Sequence, residues 1–285
     1  MVKLGVAQVV AASFANIRRG WTAAPGALGV AVAVAAVSQA LGLGRPSLSI
    51  LPFAELAAAT LATGALYRVA LSQAHPGDDR MRLGPAGLQW GAVEWWVLGA
   101  NLVVGVILAL TACVLIFAWA VGVSVLAASH AVDLSLFLKA SKGDEAALST
   151  IMAGPTGVLS ASVFLPGLAL LIYLWARLLL TAILAVDLGR LDLGRAWTLT
   201  HGATAALAAT LVVVFLCELV AGSAAVFLGG ALGALTGQSG DAALAGVAAG
   251  SAIATGLSLP MTAGAAAYVY RREVATGPWA ASTFK

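Results

Sequence analysis

The sequence predicts an all-α fold, a polytopic membrane helical bundle of about six transmembrane helices with interfacial amphipathic helices on its inner face. Three observations carry this. Of 285 residues, 61% are hydrophobic and 9% are charged, whereas a soluble domain carries roughly 25% charged residues to cover its surface. The apolar residues fall in runs long enough for the roughly 20 helical residues that cross a hydrocarbon layer about 30 Å thick. The cationic residues gather at alternate turns between those runs, the pattern that orients membrane spans.

Six runs qualify as spans: residues 21–43, 48–72, 96–127, 157–180, 203–228 and 246–270. They form one integral membrane domain over residues 1–285, with an interfacial segment at 1–20 and a cytoplasmic tail at 271–285. The third run is long enough to tilt or to project beyond the lipid. Pro25, Pro52, Pro166 and Pro260 lie in or near the spans, and kinks are expected at the last three. In a membrane bundle, neighbouring groups can take up the carbonyls that proline frees. The 32 glycines and still more alanines suit close helix crossings. Gly246-Val-Ala-Ala-Gly250 and Gly229-Gly-Ala-Leu-Gly233 are the small-residue faces best placed for them, within the bundle or between protomers.

Orientation follows from counting. With the N-terminus inside, twelve of the 15 Lys and Arg fall on the cytoplasmic side, leaving Arg45, Lys139 and Lys142 outside. The expected location is therefore a bacterial cytoplasmic (inner) membrane, multi-pass, with both termini in the cytoplasm. Trp21, Trp90, Trp95, Trp96, Trp175, Trp197 and Trp279 all lie near inner ends of spans, where an indole ring sits half dry with its N–H bonded. Spread in twos and threes, the basic residues build no phosphate-tracking patch, so nucleic acid is not an expected partner. Membrane lipids are, together with a partner membrane protein or a second copy of the chain. The N-terminus lacks the charged region, short apolar core and cleavage site of a signal peptide.

Residues 2–19 place Val2, Val6, Val9, Val10, Phe14 and Ile17 on one helical face, with Lys3, Arg18 and Arg19 beside it. This reads as a helix on the inner leaflet or one packed against its own bundle. Amphipathic lead-ins also precede the third span (83–96) and the fifth (188–200). A local match supports a repeated unit: Arg19-Gly-Trp21-Thr22-Ala-Ala-Pro-Gly26-Ala27 aligns with Arg195-Ala-Trp197-Thr198-Leu-Thr-His-Gly202-Ala203. Both copies start inside, so the repeat is parallel.

A few polar residues are made informative by the membrane. Glu55 in the second span and Glu218 in the fifth are costly in hydrocarbon. Each is expected to be neutralised, hydrogen-bonded or set in a wet cavity, either as a packing group or as part of a proton or cation path. Arg18, Arg19, Arg68, Arg177 and Arg195 are candidate contacts for lipid headgroups, and Arg68, Arg177, Asp187 and Asn101 could gather into one inner-side polar cluster. Cys113 and Cys217 are expected to pack as buried free thiols. His130 and Asp133 supply too few ligands for a metal, and no cofactor is expected. No Gly-x-Ser-x-Gly elbow, His-Glu-x-x-His or phosphate-binding loop occurs.

The stretch Trp175-Ala-Arg177-Leu-Leu-Leu-Thr-Ala-Ile, then Asp187, then Arg195-Ala-Trp197-Thr-Leu-Thr-His-Gly202, with the close Tyr268-Val-Tyr270-Arg271, resembles a pattern in bacterial six-span proteins. These are related to the membrane domain found beside some glycerophosphodiester phosphodiesterases. The likeness covers the second half of the chain well and the first in outline. The phosphodiesterase domain itself is missing, so the resemblance implies an all-helical membrane fold and no activity. A non-enzymatic membrane scaffold or accessory module is the first expectation for function. A small proton- or cation-coupled transporter or channel using Glu55 and Glu218 is the alternative, and a lipid-modifying enzyme the third.

Overall fold

The computed structural model describes residues 4–42, 51–72, 78–129, 134–236 and 239–276. Among them the fold is all-α, without a strand: α1 (Val6–Ala23), α2 (Pro25–Gly42), α3 (Leu51–Leu71), α4 (Ala92–Ala128), α5 (Leu134–Ser141), α6 (Glu145–Ala153), α7 (Pro155–Leu178), α8 (Leu180–Leu188), α9 (Leu193–Leu199), α10 (Thr204–Thr236) and α11 (Ser239–Thr276). Arg45, His75, His130, Asp133 and Trp279 lie outside the described residues.

Local chemistry sets the helix ends. Pro25 and Pro155 occupy first helical positions and Pro52 the first turn of α3, where the missing N–H costs no hydrogen bond. Pro52 therefore starts a helix, and the kink expected there is not needed. Asp144 and Asp192 cap α6 and α9 by accepting from the N–H groups of Ala147 and Arg195. Gly189, at φ 63°, closes α8.

Four stretches are long and apolar enough to cross a membrane: Pro85–Ala128, Pro155–Leu188, Thr204–Ala231 and Leu244–Val274. The pair α1 and α2 also qualifies when taken together, but it is bent by 103°. The chain is thus a helical membrane bundle with several spans. α3, which carries Glu55 and Arg68, falls short of the same standard. The long helices outrun the predicted spans: α11 starts seven residues before the sixth run and α10 ends eight residues after the fifth.

The chain divides into two units, Met1–Val103 with Ala176–Lys285, and Val104–Trp175. In the first, the core joins the C-terminal half of α3 (Ala62, Leu66), nearly all of α8 (Ile183, Leu184) and the C-terminal half of α11 (Ala266, Val269). α10 and α11 pair along a seam of small residues. A Cβ on Gly229 would lie 2.6 Å from the Cα of Gly246, and one on Gly250 would lie 3.2 Å from the Cα of Gly222. Both small-residue faces predicted from sequence thus serve contact within the chain.

Helix α1 packs on α11; its Val9, Ser13 and Gly20 are buried, while Val6 and Phe14 from the predicted apolar face are exposed. The buried Ser13 returns its hydroxyl to the Val9 carbonyl, 2.9 Å away. Pro260, inside α11, cannot donate to the carbonyl of Gly256. The Trp21 indole N–H donates to that oxygen instead, at 3.0 Å. Gly256 leaves room for the ring, since a Cβ there would sit 3.2 Å from Trp21 Cζ2. The freed carbonyl is thereby satisfied from a neighbouring helix.

The two matched segments share a helix end but not the restart, since α2 begins at Pro25 after one residue and α10 only at Thr204 after a turn over 200–203. Each short helix ends at the tripeptide after its Trp-Thr pair, where the Ala24 and Thr200 N–H groups donate to the Gly20 and Ala196 carbonyls. Gly20, Ala24 and Ala27 are buried, as are their counterparts Ala196, Thr200 and Ala203. The lead-in at 83–96 differs from expectation. Gly84, Pro85, Gly87 and Gly91 interrupt it, so it holds one 3-10 turn (Pro85–Gly87), preceded by another at Asp79–Met81, and becomes helical only at Ala92. Gly87, at φ 77°, sits against Ala24 in the bend between α1 and α2, where an added Cβ would meet the Ala24 Cα at 3.2 Å.

In the second unit, residues 104–128 of α4 run antiparallel to residues 155–175 of α7. The Trp119 indole donates to Ser160 Oγ at 2.9 Å and its ring lies 5.9 Å from that of Phe164. Leu159 covers Gly122, and Leu115 covers Gly167. The loop between them holds the short amphipathic helices α5 and α6. Leu110, Val114 and Phe117 point outward. Cys113 is exposed among them and Cys217 is half-buried, so neither thiol is the core residue expected from sequence. An outward thiol on a hydrocarbon-facing helix needs no burial, because it behaves as a small apolar group.

Candidate functional site

Two buried charges form a pair: Arg68 of α3 and Glu94 of α4, with side chains 8% and 1% exposed. Arg68 Nη2 lies 2.7 Å from both carboxylate oxygens, and its Nη1 donates to the Arg82 carbonyl at 3.1 Å. Glu94 also accepts from the Gly91 N–H at 2.8 Å, at the start of α4, where the helix dipole favours a negative charge. Gly64, one turn before Arg68, leaves room: a Cβ there would come within 3.2 Å of Glu94 Oε1. Sequence reading missed this pair. The available signal was an acid at the entrance to a span, between Val93 and the Trp95-Trp96 pair, with a lone arginine in the preceding apolar run.

Of the expected cluster, Arg68, Arg177, Asp187 and Asn101 each have a partner outside the four. The Arg177 guanidinium lies 4.2 Å over the Trp197 ring and donates to Thr204 Oγ1 at 3.4 Å, while its carbonyl accepts from the buried Thr200 hydroxyl at 3.0 Å. Asp187, in the last turn of α8, accepts from the Tyr270 hydroxyl, and the Arg195 charge acts on the same tyrosine. Asn101 donates to Thr60 at 3.4 Å. Arg18 and Arg19 are exposed at the end of α1, and Arg195 is half-buried in α9.

Glu55 and Glu218 are placed apart. Glu55, half-buried in the second turn of α3, lines a cavity of about 330 Å³ between α2, α3 and α11. Gln39 of α2 and Ser251, Thr255 and Ser258 of α11 complete its polar wall. Those three hydroxyl residues recur at intervals of four and three, which places them on one face of α11. Ser251 also donates to the Ala35 carbonyl at 3.3 Å, tying α11 to α2 at the cavity's edge. Glu218 lies in a separate groove lined by α10 residues alone, among them Phe215, Leu219, Ser223 and Phe227.

Among the described residues no group of three His, Cys, Asp or Glu side chains is placed to hold a metal ion. No family model, curated protein or solved structure matches the chain.

Proposed function

We propose that this is a six-span protein of a bacterial cytoplasmic membrane, with both ends inside, that binds a small cation or a proton at Glu55 and carries it as a transporter or channel. The observation behind this reading is the polar cavity itself. A carboxylate, an amide and three hydroxyls from three helices converge in a chain that is 61% hydrophobic. Buried polar groups in a membrane bundle are costly unless they meet one another or a solute. A stripe of hydroxyls opposite a carboxylate offers the oxygen ligands that hard cations take. The six crossings would be α2, α3, α4, α7, α10 and α11, threaded by the charge asymmetry of the loops.

The test is flux into proteoliposomes holding a pH-sensitive dye, with a Na⁺ or K⁺ gradient imposed across them. The wild type is expected to shift internal pH faster than protein-free vesicles, Glu55→Gln to fall to the protein-free rate, and Glu218→Gln to behave as wild type. Normal flux by Glu55→Gln, or a wild type no faster than empty vesicles, removes the reading. In the same vesicles and a cysteine-free background, cysteines placed at Arg80 and Ala140 should react with an impermeant maleimide from opposite sides. Labelling from one side would overturn the threading.

A second reading is favoured by Glu218. A carboxylate on a groove made by α10 alone, within a candidate span, suits a helix of another membrane chain better than lipid. That is the scaffold or accessory role, and it predicts that Glu218→Leu loses a co-purifying membrane partner while keeping the fold.

A further inference from the structure

Where α1 lies along α11, the two helices touch at Gly264, whose added Cβ would come within 2.5 Å of Asn16 Cβ and 3.1 Å of the Ala12 carbonyl. Asn16 is fixed there by donating its amide to the Pro260 carbonyl at 2.8 Å. Beside this contact lies a cavity of about 230 Å³, with Arg19, one turn after Asn16, on the α1 side and Arg271, two turns after Gly264, on the α11 side. The other lining residues are Ala12, Ala15, Asn16 and Gly264, so among the described residues no acid lines the space. Arg271 is half-buried, and its Nε is occupied by the Ala267 carbonyl at 3.3 Å. The Arg19 charge bears directly on it. The neighbouring Arg272 is drawn away to Gln8 and Tyr268.

Two guanidinium groups facing one small cavity with no carboxylate between them repel each other, and that arrangement is stable when an anion sits between them. Guanidinium is suited to phosphate because its planar fork matches two phosphate oxygens. The space admits a phosphate group with little of what it is esterified to, and the rest of a ligand would extend outward beside exposed Arg18 and Arg19. We infer that Arg19 and Arg271 form a phosphate-binding site at the junction of α1 and α11. Its ligand is a phosphate group, carried by an anionic phospholipid or free as inorganic phosphate. The site lies apart from the Glu55 cavity and shares no lining residue with it.

The experiment is a melting titration of the full chain, delipidated in dodecyl maltoside. One arm uses short-chain phosphatidylglycerol, a second inorganic phosphate, and a third short-chain diacylglycerol as the phosphate-free control. The phospholipid is expected to raise the midpoint and diacylglycerol to leave it unchanged. A response to phospholipid alone identifies a lipid headgroup as the source, and a response to both identifies a site for the free anion. Arg19→Gln and Arg271→Gln should each weaken the response about tenfold, the loss of one charge-assisted pair of bonds. Arg18→Gln, outside the cavity, should leave it as in the wild type. Each cavity variant should also melt no lower than the wild type when no anion is present, because one member of a repelling pair is gone; a merely structural arginine would show the reverse. Arg19 is exposed, so its variant folds even if Arg271→Gln does not. No response to either phosphate source, or a full response by Arg19→Gln, overturns the site.

Discussion

Glu94→Ala should destabilise the protein by about 3–5 kcal/mol, the usual cost of stranding one member of a buried ion pair. The loss would be seen as a lower melting midpoint and a smaller monodisperse fraction in mild detergent. The size follows from where the partner is left. Arg68 is held among Ala65, Leu66 and Leu71 in the core, and among the described residues its other acceptor is the Arg82 carbonyl. Glu94 also ties down the Gly91 N–H, so its removal unfastens the entrance to α4 as well. The double variant Arg68→Met with Glu94→Leu should recover most of the loss, because an apolar pair of similar volume spares both desolvation costs. Glu94→Ala melting with the wild type would show that the pair is solvated and contributes little.

Two adjacent substitutions in α10 should behave in opposite ways. Gly229→Leu drives a side chain into the Gly246 Cα at 2.6 Å and the Ala242 carbonyl at 2.7 Å, backbone atoms that no rotamer change can move. Overpacking of a fitted seam costs about 1–3 kcal/mol and more when backbone must shift. The expected result is separation of α10 from α11, read as loss of a disulfide engineered between facing positions of the two helices. Gly230→Leu adds the same side chain one residue on, where nothing lies within 4 Å. It should leave the melting midpoint and the crosslink unchanged. Equal damage from both would mean that added bulk or altered insertion, not the seam, is responsible.

Much of this architecture could be read from the residues because hydrocarbon imposes a blunt rule. Helices longer than the bilayer is thick must be apolar throughout, so α4, α7, α10 and α11 announce themselves by run length alone. The short elements are legible through their punctuation: Asp192 before α9, Gly189 after α8, and Pro25 opening α2. What sequence could not show is pairing across distance. Arg68 finds Glu94 and Asp187 finds Tyr270 because α3, α4, α8 and α11 converge, and no spacing along the chain encodes that. The same holds for the candidate site. Glu55 stood out as a costly residue, but Gln39, Ser251, Thr255 and Ser258 are ordinary helix residues until three helices bring them around it. The predicted apolar face of α1 is divided: Val9 is buried in the bundle, while Val6 and Phe14 are left exposed.

The first helix of this chain is fastened to the last. Asn16, Trp21 and Gln8 bond to residues 235 to 264 positions further on. A nascent chain therefore carries α1 through nearly all of its synthesis without its mate, and the Gly256 oxygen has no indole to receive until both are present. Contacts of such long separation close late and slowly. Closure of the α1 contacts consequently waits for the synthesis of α11, and a chain cut before α11 leaves Asn16, Trp21 and Gln8 without these partners.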